Sequence, residues 1–226
     1  MDSKPVLTGA ASLASLEPTI NVYTWSRSTG KRLFDLIFAG FFLLLTWPLM
    51  LLAALLIKCT SPGPVFFRQM RSGQDGKTFE LLKFRSMTHG RRDAGPGVTR
   101  QGDPRIFPAG RWLRKWKVDE LPQFINVLRG EMSLVGPRPD LPEYLDLLSS
   151  DQREVLLLRP GITGAATVKF RHEEELLAQV PPDELQQFYV YRILPEKVRL
   201  DLEYARQASW FGDVRIILQT VGVILP

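Results

Sequence analysis

Apolar and polar positions divide this chain into one unbroken apolar block and a longer mixed remainder. The block runs from Leu33 to Ile57 and holds a single acid, Asp35, near its start. It exceeds the roughly 20 apolar residues that cross a bilayer as a helix. Pro48 interrupts it, removing one backbone donor and crowding the preceding turn, so a helix here kinks or breaks. Lys31 and Arg32 stand at its entrance and Lys58 at its exit. Positive charge at both ends gives no inside–outside bias. Two readings stand: a kinked helix that crosses the bilayer, and a re-entrant one that bends at Pro48 and returns to the same face. A soluble core helix would be unusually apolar all round. A cleaved signal peptide is disfavoured, because the block is too long, starts too deep and lacks a small-residue cleavage site before Lys58.

Beyond the block the apolar pattern shortens. Ser61-Pro62-Gly63-Pro64 is a firm stop. Val65 to Arg71 and Thr78 to Phe84 read as two short strands joined by a turn at Gly73 to Gly76. Thr88 to Asp103 is polar and glycine-rich, which predicts a loop. Gly110 to Lys117 is predicted helical, with Trp112 and Trp116 one turn apart. Leu121 to Leu128 follows as a short helix, Pro122 being tolerated in its first turn. Gly136 to Pro139 reads as rigid coil, Tyr144 to Leu158 as an amphipathic helix, and Arg159 to Gly164 as a turn before an extended run to Phe170. Glu196 to Arg206 and Trp210 to Leu225 are the last two helices, the second with an apolar face that suits either the core or a membrane interface.

The 226 residues carry a net charge of +5 with 45% hydrophobic content, enough for one compact domain plus a membrane element. The positive balance suits anionic headgroups, phosphorylated substrates or nucleic acid. A nucleic-acid role is disfavoured because the aromatics cluster with apolar helices instead of alternating with cations on a sheet face. Cys59 is the only cysteine, so no internal disulfide forms. His89 and His172 stand far apart, without zinc-ligand spacing.

Candidate chemistry lies in three places. Asp119 and Glu120 are adjacent acids at the end of the basic run Arg111 to Lys117. Nearby cations favour ionised carboxylates, which can attack phosphorus or hold a hard divalent cation. The same acids would equally suit a helix N-terminus. Pro137-Arg138-Pro139 fixes the backbone on both sides of one guanidinium, as a bidentate phosphate contact or a surface turn would. Lys83 and Arg85 place two cations on one strand face, and Thr99, Asp103 and Arg105 add polar groups from the loop. No P-loop and no dinucleotide fingerprint is present.

Taken in order, several blocks resemble the bacterial sugar transferase family, the small monotopic phosphoglycosyl transferases. They are Lys31-Arg32-Leu33-Phe34-Asp35, Ser61 to Gln69, Lys83 to Met87, Asp103 to Ile106, Val118-Asp119-Glu120-Leu121-Pro122-Gln123, Met132 to Pro139 and Arg159 to Gly164. The resemblance covers about Lys31 to Leu225. Residues 1–29, rich in Ser, Thr, Ala and Gly, are expected by composition to be a flexible leader. The resemblance implies a mostly helical α+β fold for the rest: a Pro-broken re-entrant membrane helix over 30–59, and a surface-lying catalytic domain over 60–226 with a small β-hairpin and a C-terminal amphipathic helix. It implies transfer of a sugar-1-phosphate from a UDP-sugar to polyprenol (undecaprenyl) phosphate, with release of UMP, as the first membrane step of glycan assembly on the cytoplasmic face of the bacterial inner membrane. Asp119 falls on the family's nucleophile, which forms a covalent phosphosugar intermediate. Glu120 falls on the second acid of the dyad, and both would hold Mg2+. Arg114 and Arg138 fall near the phosphates, with Lys83 and Arg85 as further members of the basic cavity. Membrane lipids complete the implied contacts; the apolar face of the C-terminal helix, and not the resemblance, is what offers a surface for a homodimer, and the oligomeric state stays open. The chain departs from the pattern at residue 47, where Trp47 replaces a serine before Pro48. Thr46 stands beside it as a substitute side-chain donor. A non-catalytic membrane anchor on the same scaffold is the alternative.

Overall fold

The structure, a computed structural model, describes residues 25–88 and 99–224. The expected leader lies outside it up to residue 24, as does most of the expected loop, including His89.

The apolar block forms one helix, α1 (Thr29–Thr60), capped by Ser28, whose hydroxyl accepts from the Lys31 amide. At 1.5 Å per residue its 32 residues extend about 48 Å. It is the only described helix long and apolar enough to cross a membrane. The helix runs through Pro48 without the expected interruption of its helical backbone, and the Thr46 hydroxyl donates to Phe42 O at 2.7 Å. Burial along α1 is confined to its ends: Lys31, Phe34, Asp35 and Ala39 at one, Ala53 and Ile57 at the other. The centre stays bare, with Leu44 78% and Trp47 58% exposed.

After the Ser61–Pro64 turn, β1 (Phe66–Ser72) and β2 (Thr78–Phe84) pair antiparallel, Phe66 opposite Phe84 and Ser72 opposite Thr78. Then come α2 (Pro108–Lys115), a 3-10 turn over Val118–Glu120, and α3 (Gln123–Arg129). β3 (Ser133–Val135) pairs in parallel with β4 (Gly161–Thr163), with α4 (Pro142–Leu145) and a 3-10 turn (Gln152–Leu157) between them. The chain ends in α5 (Ala165–Lys169), α6 (Glu173–Ala178), α7 (Leu185–Phe188), a π-turn (Tyr189–Ile193), α8 (Leu194–Gln207) and α9 (Trp210–Ile224). The fold is α+β, mostly α, as expected.

Three apolar cores hold these elements together. Phe34, Phe38 and Ala39 of α1 pack with Phe79 and Leu81 of β2, Val127 of α3, Leu134 of β3 and Ile216 of α9. Ala53 and Ile57, at the other end of α1, pack with Phe84 of β2 and with Phe107, Leu113 and Val118 around α2. Both ends of α1 therefore rest on one body, spanned by the single strand β2. The third core, built around α4, α7 and α8, holds Tyr144, Leu177, Tyr189, Ile193 and Val198. A buried polar cluster seats the start of α1. Lys31 Nζ pairs with Asp35 at 3.1 Å and with Asp213 of α9 at 2.8 Å. Asp35 accepts from the Leu134 amide and the Ser133 hydroxyl, and Asp213 from Tyr204 and Trp25.

The structure corrects several sequence expectations. The helix over Tyr144 to Leu158 is split, because Ser149 and Gln152 bond each other's backbone and turn the chain between α4 and the 3-10 turn. The extended run to Phe170 stops at Thr163 and becomes α5, whose free Ala166 amide is taken by Asp201 of α8 at 3.2 Å. Helix α3 starts two residues later than expected, since Val118–Glu120 form their own turn.

Candidate active site

The Asp119–Glu120 pair sits in the 3-10 turn between α2 and α3. Lys117 begins this turn in the left-handed region, with φ 54°, which breaks the path of α2 and turns the two acids inward. Asn126 then fastens α3 to the edge of β2, accepting from the Leu82 amide at 3.0 Å and donating to Glu80 O at 2.8 Å. This clamp sets Lys83 over the acids. Lys83 Nζ lies 3.3 Å from Glu120 Oε1, and Arg138 donates to the same oxygen at 2.9 Å. Arg138 reaches it from the coil that follows β3, whose backbone is pressed against the segment that starts β4. Gly161 N donates to Pro137 O at 2.7 Å, and a Cβ at Gly136 would stand 2.4 Å from Arg159 O. Only glycine permits that approach, so the glycines of both segments aim the guanidinium.

Asp119 differs from its neighbour. It is 5% exposed, and its Oδ1 has no hydrogen-bond partner. Gln123 Nε2, four residues on, is also buried without a partner. Burial chiefly pushes the Asp119 carboxyl up, to about 6, and Glu120 adds to it; Lys83, Arg114 and Lys117 oppose the rise. Glu120 goes the other way. Burial would raise it, but Arg138, Lys83 and Lys117 outweigh burial and hold it well below the usual carboxylate range. Burial lowers Lys83 against the pull of Glu120, and Glu120 raises Arg138. The pair thus comprises one fixed anion locked to two cations and one buried carboxylate of raised basicity with a free oxygen. That division between adjacent acids is typical of groups with separate chemical roles.

Of the expected site residues, Asp119, Glu120, Lys83 and Arg138 converge. Arg114 acts on Asp119 electrostatically while its guanidinium pairs with Glu174 of α6. Arg85 does not join them, which corrects its assignment to the basic cavity. It lies just past the end of β2, 2% exposed, donating to Ser61 O at 2.7 Å and to Pro62 O, with its guanidinium over the Phe107 ring. It holds the exit of α1 to the domain. Asp103 and Arg105 bond to each other. The sequence reading had Lys117 only as the end of the basic run before the acids and Gln123 only as the last residue of the Val118–Gln123 block, and gave neither a role of its own in the site.

No group of three or more metal-ligating side chains is found among the described residues. The dyad still fits Mg2+, which is commonly held by one or two carboxylates with substrate phosphates and water supplying the rest. The unpartnered Asp119 Oδ1 is the observation that supports the fit.

The site thus joins a buried acid pair framed by cations to an α+β domain that carries one helix of membrane length. The Bacterial sugar transferase family matches residues 26–226, and the chain belongs to it. It is 40% identical over 201 residues to a UDP-glucose:undecaprenyl-phosphate glucose-1-phosphate transferase of Caulobacter vibrioides, covering 86% of this chain and 69% of that protein. It is 39% identical over 195 residues to the Escherichia coli protein of the same description, covering 84% of this chain and 39% of the other. A UDP-N-acetylgalactosamine-undecaprenyl-phosphate N-acetylgalactosaminephosphotransferase of Aeromonas hydrophila is 37% identical over 198 residues, 86% of this chain and 43% of that one. The chain therefore spans less than half the length of some of these relatives.

Proposed function

We propose that the protein transfers a sugar-1-phosphate from a UDP-sugar to polyprenol phosphate, releasing UMP and leaving polyprenol-diphosphate-sugar. The observation that carries this reading is the buried, unpartnered Asp119 oxygen beside Glu120, Lys83 and Arg138. The relatives named above support the substrate classes.

In the first half-reaction an Asp119 oxygen attacks the sugar-bearing phosphorus. The new O–P bond forms as the bond from that phosphorus to the oxygen bridging the two phosphates breaks, and UMP leaves with that oxygen and its electron pair. In the second, a phosphate oxygen of the polyprenol phosphate attacks the same phosphorus and the Asp119 carboxylate is restored. Two displacements let one site meet a soluble and a lipid substrate in turn. The raised basicity of Asp119 makes it a better nucleophile than an ordinary carboxylate while leaving it mostly ionised at neutral pH. Glu120 keeps Lys83 and Arg138 in place, and both cations face the phosphate charge that develops. Mg2+ bound at Asp119 and Glu120 would neutralise diphosphate charge when present.

The same reading places α1 as a re-entrant membrane element. Its two ends bury residues on one body while its centre stays bare, which suits a helix that enters and leaves at one face. The Thr46–Phe42 bond, near the donor lost at Pro48, favours a bend there. The catalytic domain then lies on the cytoplasmic face of the bacterial inner membrane.

The test is nucleotide release from a panel of UDP-sugars, with polyprenol phosphate and Mg2+ in nanodiscs. UMP release that disappears in Asp119→Asn is expected. UDP release would refute the scheme. For topology, native Cys59 and an engineered Ser28→Cys are expected to react with an impermeant maleimide from the same side only.

A further inference from the structure

Strand β1 carries two neighbouring phenylalanines that alternate to opposite faces of the hairpin and meet different surroundings. Phe66 lies opposite Phe84 and stacks on its ring, with centroids 5.4 Å apart. Phe67 lies opposite Lys83. Residues directly opposite in an antiparallel pair share a face, with Cβ atoms about 4.5–5.5 Å apart. Lys83 directs its ammonium to Glu120 at 3.3 Å. The Phe67 side chain therefore starts beside the cation that serves the dyad. It is 43% exposed and belongs to none of the three apolar cores.

The same residue lies between the membrane helix and the acids. Val65, two residues before it, packs with Ala53 and Ile57 at the exit of α1, and so does Val118, the neighbour of Asp119. One apolar core thus roots the exit of α1, the approach to β1 and the turn that carries the dyad. Trp112, beside Leu113 of that core, is exposed as well, as aromatic side chains are at a membrane–water interface. With α1 re-entrant, this end of the domain meets the bilayer surface. A lipid phosphate has to enter from there, whereas a soluble sugar nucleotide does not. An acceptor phosphate drawn to Lys83 carries its first isoprene carbons past a side chain one cross-strand step away. A bare phenyl ring beside a charged site suits an apolar chain that ends in a phosphate, and it offers a sugar hydroxyl no hydrogen bond.

We propose that Phe67 contacts the first isoprene units of the lipid acceptor and orients the polyprenol phosphate for the second displacement. This rests on the reaction proposed above. Phe67 then serves the acceptor alone, whereas Lys83 and the dyad serve both substrates.

Labelling of the protein by a sugar-labelled UDP-sugar without acceptor reports the first displacement. Turnover in nanodiscs, with polyprenol phosphate varied as a fraction of the lipid, reports the second. Phe67→Ala is expected to leave labelling unchanged and to raise KM for polyprenol phosphate about fivefold to tenfold. Phe67→Leu keeps an apolar side chain and should restore most of that loss. Phe66→Ala, on the opposite face, should leave KM for the acceptor unchanged. Equal losses in Phe66→Ala and Phe67→Ala would overturn the proposal, since both rings would then only anchor the hairpin to the bilayer. Slower labelling in Phe67→Ala that leucine does not rescue would put the ring on the nucleotide or sugar and overturn it too, as would an unchanged KM for the acceptor. Calorimetry in detergent keeps this contact separable from the reaction itself. In an Asp119→Asn background, Phe67→Ala should weaken farnesyl phosphate about fivefold and leave inorganic phosphate unchanged. That result without UMP release from the unsubstituted protein would refute the reaction and leave the contact standing. An equal effect on both phosphates, or none on either, would refute the contact.

Discussion

Replacing Asp119 with asparagine should abolish turnover and at the same time stabilise the protein. The carboxyl is pushed up from 3.8 to about 6, chiefly by burial. Each unit corresponds to about 1.36 kcal/mol, so an ionised Asp119 costs up to about 3 kcal/mol of folding stability near neutral pH. Because the folded state binds this proton more tightly than the unfolded chain, the penalty is full above about pH 6. It falls to about half by pH 5 and is gone below both pKa values, under about pH 4. Asparagine carries no charge at any of these pH values. The variant should therefore be the more stable at pH 7.5, by up to about 3 kcal/mol, with the gap closing as the medium is acidified. Chemical unfolding in detergent at pH 7.5 and pH 5, run on both proteins, reads the difference. UMP release and trapping of a sugar-phosphate label read the chemistry. A variant that is less stable at pH 7.5, or whose advantage grows on acidification, would show that the surrounding cations outweigh burial. Retained turnover would refute the nucleophile assignment.

Activity should follow the ionisation of Asp119, with kcat/KM falling about tenfold per pH unit well below pH 6 while Glu120 stays charged. An alkaline limb is expected below pH 10.5, where Lys83, lowered by burial, gives up its proton; a full pH–rate profile on one donor checks both limbs. Arg85→Ala should cost about 2–4 kcal/mol of stability through its lost carbonyl contacts yet leave kcat/KM of the folded fraction unchanged, and Arg85→Lys should not restore it, since a lysine cannot span both oxygens. A fall in kcat/KM with normal stability would return Arg85 to the substrate site. Asp35→Asn leaves Lys31 with only Asp213 in a buried setting and should cost about 3–5 kcal/mol, read as a lower unfolding midpoint. An unchanged midpoint would remove that cluster from the seating of α1.

The membrane-length block, the hairpin and the last two helices were legible because each depends on near-neighbour periodicity. Leu33 to Ile57 is apolar over a bilayer's width, and Thr78 to Phe84 keeps the alternation of a strand. The helix over Tyr144 to Leu158 failed because two side chains, Ser149 and Gln152, compete locally for the backbone. The run after Thr163 became helical because Asp201, 35 residues away, takes the Ala166 amide. Periodicity carries no information about either.

The same division holds in the site. The adjacency of Asp119 and Glu120, the prolines that fix Arg138 and the glycines that let β3 and β4 approach are all properties of short segments, so the sequence by itself determined which chemistry was available and which arginine was rigidly aimed. It could not decide which cations serve the acids. Lys83 and Arg85 look equivalent two residues apart on one strand. Only the packing of α1 against Phe84 and Phe107 directs Arg85 to the Ser61 and Pro62 carbonyls, and only the Asn126 clamp brings Lys83 to Glu120. Nor could sequence tell the two acids apart. Chemically alike neighbours become a locked anion and a free, more basic carboxylate because burial and the nearest charge differ at each, and both are set by residues distant in the chain.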